Sequence, residues 1–329
     1  MKFIFADAQD TIDLDYNFLT DEFSPKRVIQ RTDKYPHEVF SKKPYDGMLI
    51  SRGLLDDGVY KSTSRAYSMA QTQRLKMEGV KRFLRYYDGE VFGDNGAFSY
   101  HKLDEPPYKV AETVFYYEDC GFDYGMSVDH IIFEYDKRFD TDGDFDGKYK
   151  VTEKMQKRYD ITINNARDFL KECTKQKVNF HPIGVIQAWS PKSMKKAARE
   201  LVNMGYDYIA IGGMVPLDIN SCEEIVKAVR EEIGFEIKIH LLGFAKAKQL
   251  ERLGEYRKVR DEFMRLHPTC QARLSGCTVK ATDLHHSKGR TGDLLTDKRH
   301  FKALCRSCHR FIEENPKFSK ENGYSENRI

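Results

Sequence analysis

Along the first 245 residues, short runs of β-branched and aromatic residues alternate with longer stretches whose apolar positions recur every three or four residues. The short runs are Gly47-Met48-Leu49-Ile50-Ser51, Arg82-Phe83-Leu84-Arg85, Glu90-Val91-Phe92-Gly93, Tyr124-Gly125-Met126-Ser127-Val128, Ile183-Gly184-Val185-Ile186, Tyr208-Ile209-Ala210-Ile211 and Ile237-Lys238-Ile239-His240-Leu241. Between them, the helical period predicts helices over roughly Ser68 to Lys81, Val110 to Tyr117, Thr152 to Lys175, Ser193 to Met204 and Ser221 to Ile233. Strands alternating with helices predict a parallel α/β sheet, and seven such strands predict a TIM-like (β/α)8 barrel.

The pattern changes near Ala245. A charged helical stretch, KAKQLERLGEYRKVRDEFMRL, leads straight into a segment with a different composition. The formal charge of +3 over 329 residues divides there. From Glu255 onward sixteen basic residues face ten acidic ones, giving +6, and the remainder carries −3. Cys120, Cys173 and Cys222 are scattered, whereas Cys270, Cys277, Cys305 and Cys308 cluster together with five of the ten histidines. The start, MKFIFADAQD, carries acids where a secretion signal has bases, and no run of eighteen apolar residues occurs. These features argue against membrane spanning and secretion and for a cytoplasmic setting, in which clustered cysteines bind metal before they form disulfides. Two domains are expected, 1–245 and 246–329.

An acidic loop interrupts the first part. Asp142, Asp144, Asp146 and Gly147, with Glu153 six residues on, match the spacing of a calcium loop. A solvated turn entering a helix, with Glu153 favourable at its N-terminus, accounts for the same residues.

In a β/α barrel the chemistry sits at the C-terminal ends of the strands. There the sequence places Asp94 between glycines in Gly93-Asp94-Asn95-Gly96, Asp129 after Ser127-Val128, Gln187 after Ile186, and Gly212-Gly213 after Ile211. Two acids, an amide and bare peptide groups suit a flat heterocycle: a carboxylate accepts adjacent N–H groups of a guanine-like edge, and glycine peptides approach the carbonyl side. GDNGAF, SVDHII, PIGVIQAWSP, YIAIGGMVPL and HLLGF, with FADAQD, SPKRVIQR, PYDGMLIS and CGFDYGMSVDH, resemble the tRNA-guanine transglycosylase superfamily, and more closely its DNA-modifying branch, the DpdA-type DNA-guanine transglycosylases. The resemblance covers about three quarters of the chain. It implies a TIM barrel that exchanges guanine in a polynucleotide for a 7-deazaguanine of the preQ0 type, with DNA the leading partner, tRNA an alternative and the free base a co-substrate. By position, Asp94 matches a catalytic, proton-handling acid, and Asp129, Gln187, Gly212 and Gly213 match residues that hold the base.

The sequence departs from that pattern after HLLGF. The family's nucleophilic aspartate follows an eighth strand, and here LLGFAKAKQLERL runs into the cysteine-rich segment. The barrel is expected to lack its last βα unit, unless the run Lys2 to Phe5 completes it, and covalent base exchange is expected to suffer.

In the second part, four thiolates in two pairs, Cys270, Cys277, Cys305 and Cys308, fit a closed tetrahedral structural zinc site. His285 and His286, adjacent on a short strand, point to opposite sides. The stretch FMRLHPTCQARLSGCTVKATDLHHSKGR followed by LCRSCHRFIEENP resembles the HNH endonuclease family, particularly compact phage proteins with a ββα-metal core. The resemblance implies that His285 and His309 ligate a divalent ion such as Mg or Mn and that His286 is the catalytic base. His300 stands where that motif usually carries asparagine. Lys288, Arg290, Lys298, Arg299, Arg306 and Arg310 are candidates for phosphate contacts. Three functions remain open: base exchange in DNA, phosphodiester hydrolysis, or DNA binding without catalysis.

Overall fold

A computed structural model describes residues 2–29, 31–59, 66–141, 149–244, 247–289 and 292–326, without the side chains of 247–255, 257, 292 and 293. The chain divides into two compact units, Met1–Phe244 and Ala245–Ile329.

The first unit holds seven parallel strands in chain order: β1 Ile4–Ala6, β2 Gly47–Ser51, β3 Glu90–Asp94, β4 Tyr124–Met126, β5 His181–Ile186, β6 Tyr208–Ile211 and β7 Lys238–Leu241. Its helices are α1 Pro36–Val39, α2 Met69–Glu78, α3 Val80–Phe83, α4 Val110–Asp119, α5 Glu153–Gln176, α6 Pro191–Met204 and α7 Ile219–Ile233. Local chemistry sets their starts: Ser68, Thr152, Ser190 and Asp218 each accept a hydrogen bond from a backbone N–H of the first turn, which is otherwise without a partner. Along α5, Met155, Tyr159, Ile163, Ala166, Phe169 and Cys173 are buried at steps of three and four, a stripe that seats it against the sheet and its neighbours.

The sheet is curled. Neighbouring strands lie about 4.8 Å apart, so a flat sheet would separate β3 from β7 by about 19 Å. Instead the rings of Phe92 on β3 and His240 on β7 are 5.7 Å apart. Leu49, Phe92, Met126, Ile183, Val185 and Ala210 fill the concave side, with Ile4 and Leu242 packed against them. Among the described residues no strand pairs with the outer edge of β1 or β7, so the curl resembles a (β/α)8 barrel left open by a unit. Residues near Lys2 to Phe5 do form a strand, but it lines the opening as an edge strand instead of closing it.

The strand expected at Arg82 to Arg85 is a correction. Gly79, at φ +79°, ends α2, and Val80 to Phe83 then form α3. Val80, Phe83 and Leu84 are all fully buried, a spacing of three and four that a four-residue window could not distinguish from a strand. The seventh strand of the sheet is β1. Of the acidic loop, residues 142–148 lie outside the described residues; Glu153 opens α5 behind its cap Thr152.

The second unit comprises α8 Ala247–Leu266, the antiparallel pair β8 Asp283–His286 and β9 Phe301–Leu304, α9 Arg306–Glu314 and α10 Pro316–Glu321. Phe263, Ala281, Leu284, Phe301 and Ala303 form its apolar centre, and a second cluster gathers Leu304 and Ile312 around the buried cysteines.

Candidate functional site

Parallel pairing aligns the C-terminal ends of β2 to β6. Asp94 ends β3 opposite Ser51 of β2, half-buried, and its Oδ2 accepts the Gly96 N–H at 2.9 Å. Burial raises the Asp94 carboxyl above its ordinary range, against hydrogen bonds from the Ser51 side chain and the Gly96 and Asn95 backbone.

Asp129 lies three residues past β4 and is 1 % exposed. Its Oδ2 accepts from Gln187 Nε2 at 2.8 Å, while its buried Oδ1 has no hydrogen-bond partner among the described residues. Burial first, and the charge of Asp94 second, push this carboxyl up to about 7. It therefore takes up a proton far more readily than an exposed carboxylate, which suits a group that accepts or gives one. Gln187, itself 2 % exposed, spends its Oε1 on the Ile132 N–H at 3.3 Å. Gly212 makes room for that amide: a Cβ there would lie 1.9 Å from Gln187 Nε2. Gly213, at φ +73°, brings its backbone so near the Ile132 carbonyl that a Cβ would stand 2.8 Å from the oxygen. Four strand ends thus bring together two interacting carboxyls, an amide and bare peptide groups.

Sequence reasoning missed what holds this group. Carbonyls at the end of β4 and just beyond it are gripped in turn by buried side chains. Asn95 Nδ2 donates to the Met126 and Ser127 carbonyls at 2.9 and 3.2 Å, the Tyr117 hydroxyl to Met126 at 3.2 Å, and the Tyr100 hydroxyl to Asp129 at 3.0 Å. Arg158 Nη1 donates to the Ile131 carbonyl at 2.7 Å from the second turn of α5. The signal for Arg158 was a cation on the apolar stripe of a helix. Asp7 was also missed: it follows β1, is 1 % exposed, accepts from the Tyr67 and Tyr35 hydroxyls, and is pushed up to about 7 mainly by burial.

In the second unit, Cys270, Cys277, Cys305 and Cys308 present sulfurs within 4.8 Å of one another, a group that can hold a metal ion such as zinc. All four are free thiols, and Cys305 Sγ lies 3.8 Å from Cys277 Sγ. That separation matches the edge of a tetrahedron with metal–sulfur bonds of about 2.3 Å. The Cys308 N–H points at Cys305 Sγ at 3.5 Å and the Val279 N–H at Cys277 Sγ at 3.4 Å, donors that favour thiolate. Against the opposing effect of burial, hydrogen bonds from Ser307, Cys308 and Thr278 pull the Cys305 thiol down to about 5.

β8 sends its two histidines to opposite sides. His285 meets His309 of α9 edge to face, ring centroids 5.3 Å apart, whereas His286 packs against Tyr256 and Phe301. Two imidazoles side by side fit a divalent ion that keeps water in its remaining positions. Glu313 Oε1 lies 3.4 Å from His309 Nε2, and among the described residues the cysteine set is the one group of three or more close enough to share an ion. The basic residues proposed for phosphates largely have partners: Lys298 pairs with Glu262, Arg299 with Asp297, Arg306 with Asp283 and Arg310 with Glu314. Arg290 lies outside the described residues. No helix among the described residues is long and apolar enough to cross a membrane.

No family model matches the chain. Over 247 residues, 75 % of its length, it is 40 % identical to a DNA-guanine transglycosylase of Salmonella montevideo, and it spans 57 % of that protein.

Proposed function

We propose that the first unit is a transglycosylase-type domain that recognises guanine in DNA and serves its exchange for a 7-deazaguanine of the preQ0 type. The observation that carries this reading is the buried Asp129, one oxygen taken by Gln187 and the other without a partner, with Asp94 close enough to raise its pKa. A guanine edge offers two adjacent N–H groups to such a carboxylate, and its carbonyl oxygen suits the Gln187 amide and the Gly212 and Gly213 peptides. Asp94 then moves protons for the departing and entering base. The likeness to a DNA-guanine transglycosylase supports DNA as the polynucleotide. Such an enzyme takes its target base out of the stack, at a cost of a few kcal/mol, which a damaged or single-stranded site reduces.

Recognition and exchange are separable. A covalent route needs a further carboxylate at the sugar, and among the described residues the sheet ends at β7, so in this reading base recognition outlives efficient exchange. Incubation of the full chain with duplex or single-stranded DNA, labelled guanine and preQ0 tests both abilities. Retention of base without incorporation fits the impaired form. Failure to bind or incorporate any guanine or deazaguanine refutes the reading, and incorporation into tRNA alone would replace the DNA assignment.

A second reading concerns the second unit, where β8, β9 and α9 place His285 beside His309 and turn His286 the other way. We propose that this is an HNH-type endonuclease module on a zinc-holding tetrathiolate, with a divalent ion on His285 and His309. The ion would polarise the phosphodiester, and His286 would take a proton from the attacking water. Plasmid nicking with manganese or magnesium that vanishes in His286→Ala supports it; intact plasmid with every metal counts against it.

A further inference from the structure

Between β1 and α1 the chain makes an excursion, residues 11–34. β1 runs parallel to the rest of the sheet, so its C-terminal end opens at the same edge as Asp94, Asp129 and Gln187, two strands or about 10 Å from the end of β3. The excursion is fastened at its root and at its tip. At the root Ile12 and Lys34 exchange backbone hydrogen bonds at 2.7 and 2.8 Å, and the buried Asp33 accepts from Thr11 Oγ1 at 3.0 Å and from Arg27 Nη2 at 2.7 Å. At the tip Asn17 and Glu22 exchange backbone bonds at 2.9 and 3.2 Å, and Asn17 Oδ1 accepts the Leu19 N–H at 3.0 Å. The Tyr16 ring meets Phe18 and Phe23 edge to face, each at 5.0 Å between centroids, and the Arg27 guanidinium lies 4.0 Å over Phe23. This order presents two large apolar side chains to solvent: Phe18 is 88 % exposed and Leu19 97 %.

Apolar side chains scattered singly over a surface need no explanation. These two are the most exposed large apolar side chains among the described residues, and they stand next to each other on a preformed tip. Charge is polarised along the excursion: residues 11–23 carry four acids and no base, residues 24–34 four bases and one acid. Arg27 and Lys34 pair with Asp33 and Glu38, and Lys26 and Arg31 are exposed. Acids on the outgoing limb oppose contact with phosphates on that side, which leaves the returning limb to meet a nucleic-acid backbone and the tip to meet the bases. We propose that Phe18 and Leu19 form a wedge that enters the base stack of duplex DNA beside the target guanine and holds open the step from which that base is extruded, with Lys26 and Arg31 on neighbouring phosphates. Inserted apolar side chains unstack a base step and so offset the cost of extrusion. The wedge rests on the guanine-exchange reading of the first unit and adds to it the means by which a paired base reaches Asp129 and Asp94.

The test compares the full chain with the double variants Phe18→Ser/Leu19→Ser and Lys26→Ala/Arg31→Ala. The probes are a duplex with 2-aminopurine beside its guanines, whose fluorescence rises on unstacking, and the same duplex with those guanines unpaired in bulges. All four side chains are exposed, so the Trp189 unfolding midpoint should match that of the full chain in both variants. The full chain should raise the fluorescence of the paired duplex; Phe18→Ser/Leu19→Ser should lose most of that rise and bind the paired duplex about 5- to 100-fold more weakly. On the bulged duplex, where the guanine is already out of its pair, the same variant should bind within about threefold of the full chain. It should also keep the salt dependence of the full chain, whereas Lys26→Ala/Arg31→Ala should reduce the slope of log affinity against log salt by about two. No fluorescence rise with the full chain, paired-duplex affinity in Phe18→Ser/Leu19→Ser within about twofold of the full chain, or an equal loss on both duplexes would overturn the wedge. A full chain that sediments as a dimer, with Phe18→Ser/Leu19→Ser a monomer of unaltered unstacking, would give the tip to a second copy and overturn it too. Retention of labelled guanine or preQ0 by the same proteins separates the two readings. Without retention the guanine-exchange reading fails while the fluorescence still judges the wedge, and retention without unstacking refutes the wedge alone.

Discussion

The two units build their sites in opposite ways. In the first, Asp94, Asp129, Gln187 and Gly212 come from the ends of four strands far apart in sequence, and the parallel pairing of the sheet brings them to one place. In the second, four thiols come from one short stretch of chain, around one hairpin and one helix N-terminus. The first site is a product of its fold, since the carboxyls are buried at a cost that the surrounding structure must bear. A metal held by the second would contribute to its fold, because four thiolates gathered by the folded chain bind an ion that the unfolded chain does not. Removing the chemical group should therefore spare structure in one unit and destroy it in the other.

The largest expected effect tests this contrast directly. Cys305→Ser, or a strong chelator, should unfold the second unit, since a structural metal supplies on the order of 10 kcal/mol to small modules of this kind. Trp189, the single tryptophan, lies in the first unit against Tyr159 and reports on that unit alone. Its urea-unfolding midpoint should stay put while the circular dichroism of the second unit is lost. A shift of the Trp189 transition in step with metal loss would break the comparison.

The same contrast explains what could be read from sequence. The cysteine set was legible because its ligands are near in sequence and their type is diagnostic. The curled parallel sheet was legible in outline, because buried strands and amphipathic helices carry different periods. Arg82 to Arg85 was misread because Val80 and Gly79 supply the helical context from outside the window, and β1 was underrated because three residues, Ile4 to Ala6, are too few to show any period. The grip of Asn95, Tyr100, Tyr117 and Arg158 on carbonyls after β4 was illegible in principle: nothing local says that a tyrosine 29 residues away from Asp129 will meet its carbonyl. Buried polar networks are satisfied by tertiary structure, so they appear only when the fold does.

In the first unit, Asp94→Asn should leave the Trp189 unfolding midpoint within about 0.5 M urea of wild type, because the side chain is half-buried and the amide keeps its size. Loss of proton transfer should lower base exchange about 10²- to 10⁴-fold, measured as labelled guanine released from DNA. A large loss of stability in this variant would make the carboxyl a structural group and would remove the contrast between the units.

A smaller effect comes from pH. Asp129 and Asp7 are each raised from 3.8 to about 7, so between about pH 4 and 7 the folded chain holds protons that the unfolded chain has released. These two groups contribute stability that is lost as pH rises through that window and levels off above it, by on the order of 4 kcal/mol at most each, while His240, lowered to about 4 by burial, and His37 and His130, also lowered by burial, oppose them over the same window. Asp33, lowered by its hydrogen bonds with Arg27, has the opposite sign, and its contribution is lost below the window. The Trp189 midpoint at pH 4.5 and 7.5 measures the slope, and against Asp129→Asn, which cannot titrate, the wild type should lose more stability, or gain less, over that interval. An unchanged slope would mean that Asp129 is ionised throughout.

The smallest effect sharpens the comparison most, because it separates geometry from chemistry within one site. Gly212→Ala adds a methyl group 1.9 Å from Gln187 Nε2 and removes no functional atom. Either the amide moves away from Asp129 or the backbone of the β6 end shifts, at a cost of about 1–3 kcal/mol typical of overpacking. Movement of Gln187 leaves Asp129 Oδ2, like Oδ1, without a hydrogen-bond donor, so base affinity should drop about tenfold or more alongside that loss of stability. Gln187→Ala opens space for the methyl group but leaves the buried Ile132 N–H and Asp129 Oδ2 unpaired, so adding Gly212→Ala to Gln187→Ala should cost much less stability than adding it to the wild type, while affinity stays low. Recovery of affinity in the double variant would place the base away from the amide. A purely structural clash would lower stability and leave affinity intact, and would take Gly212 out of the site.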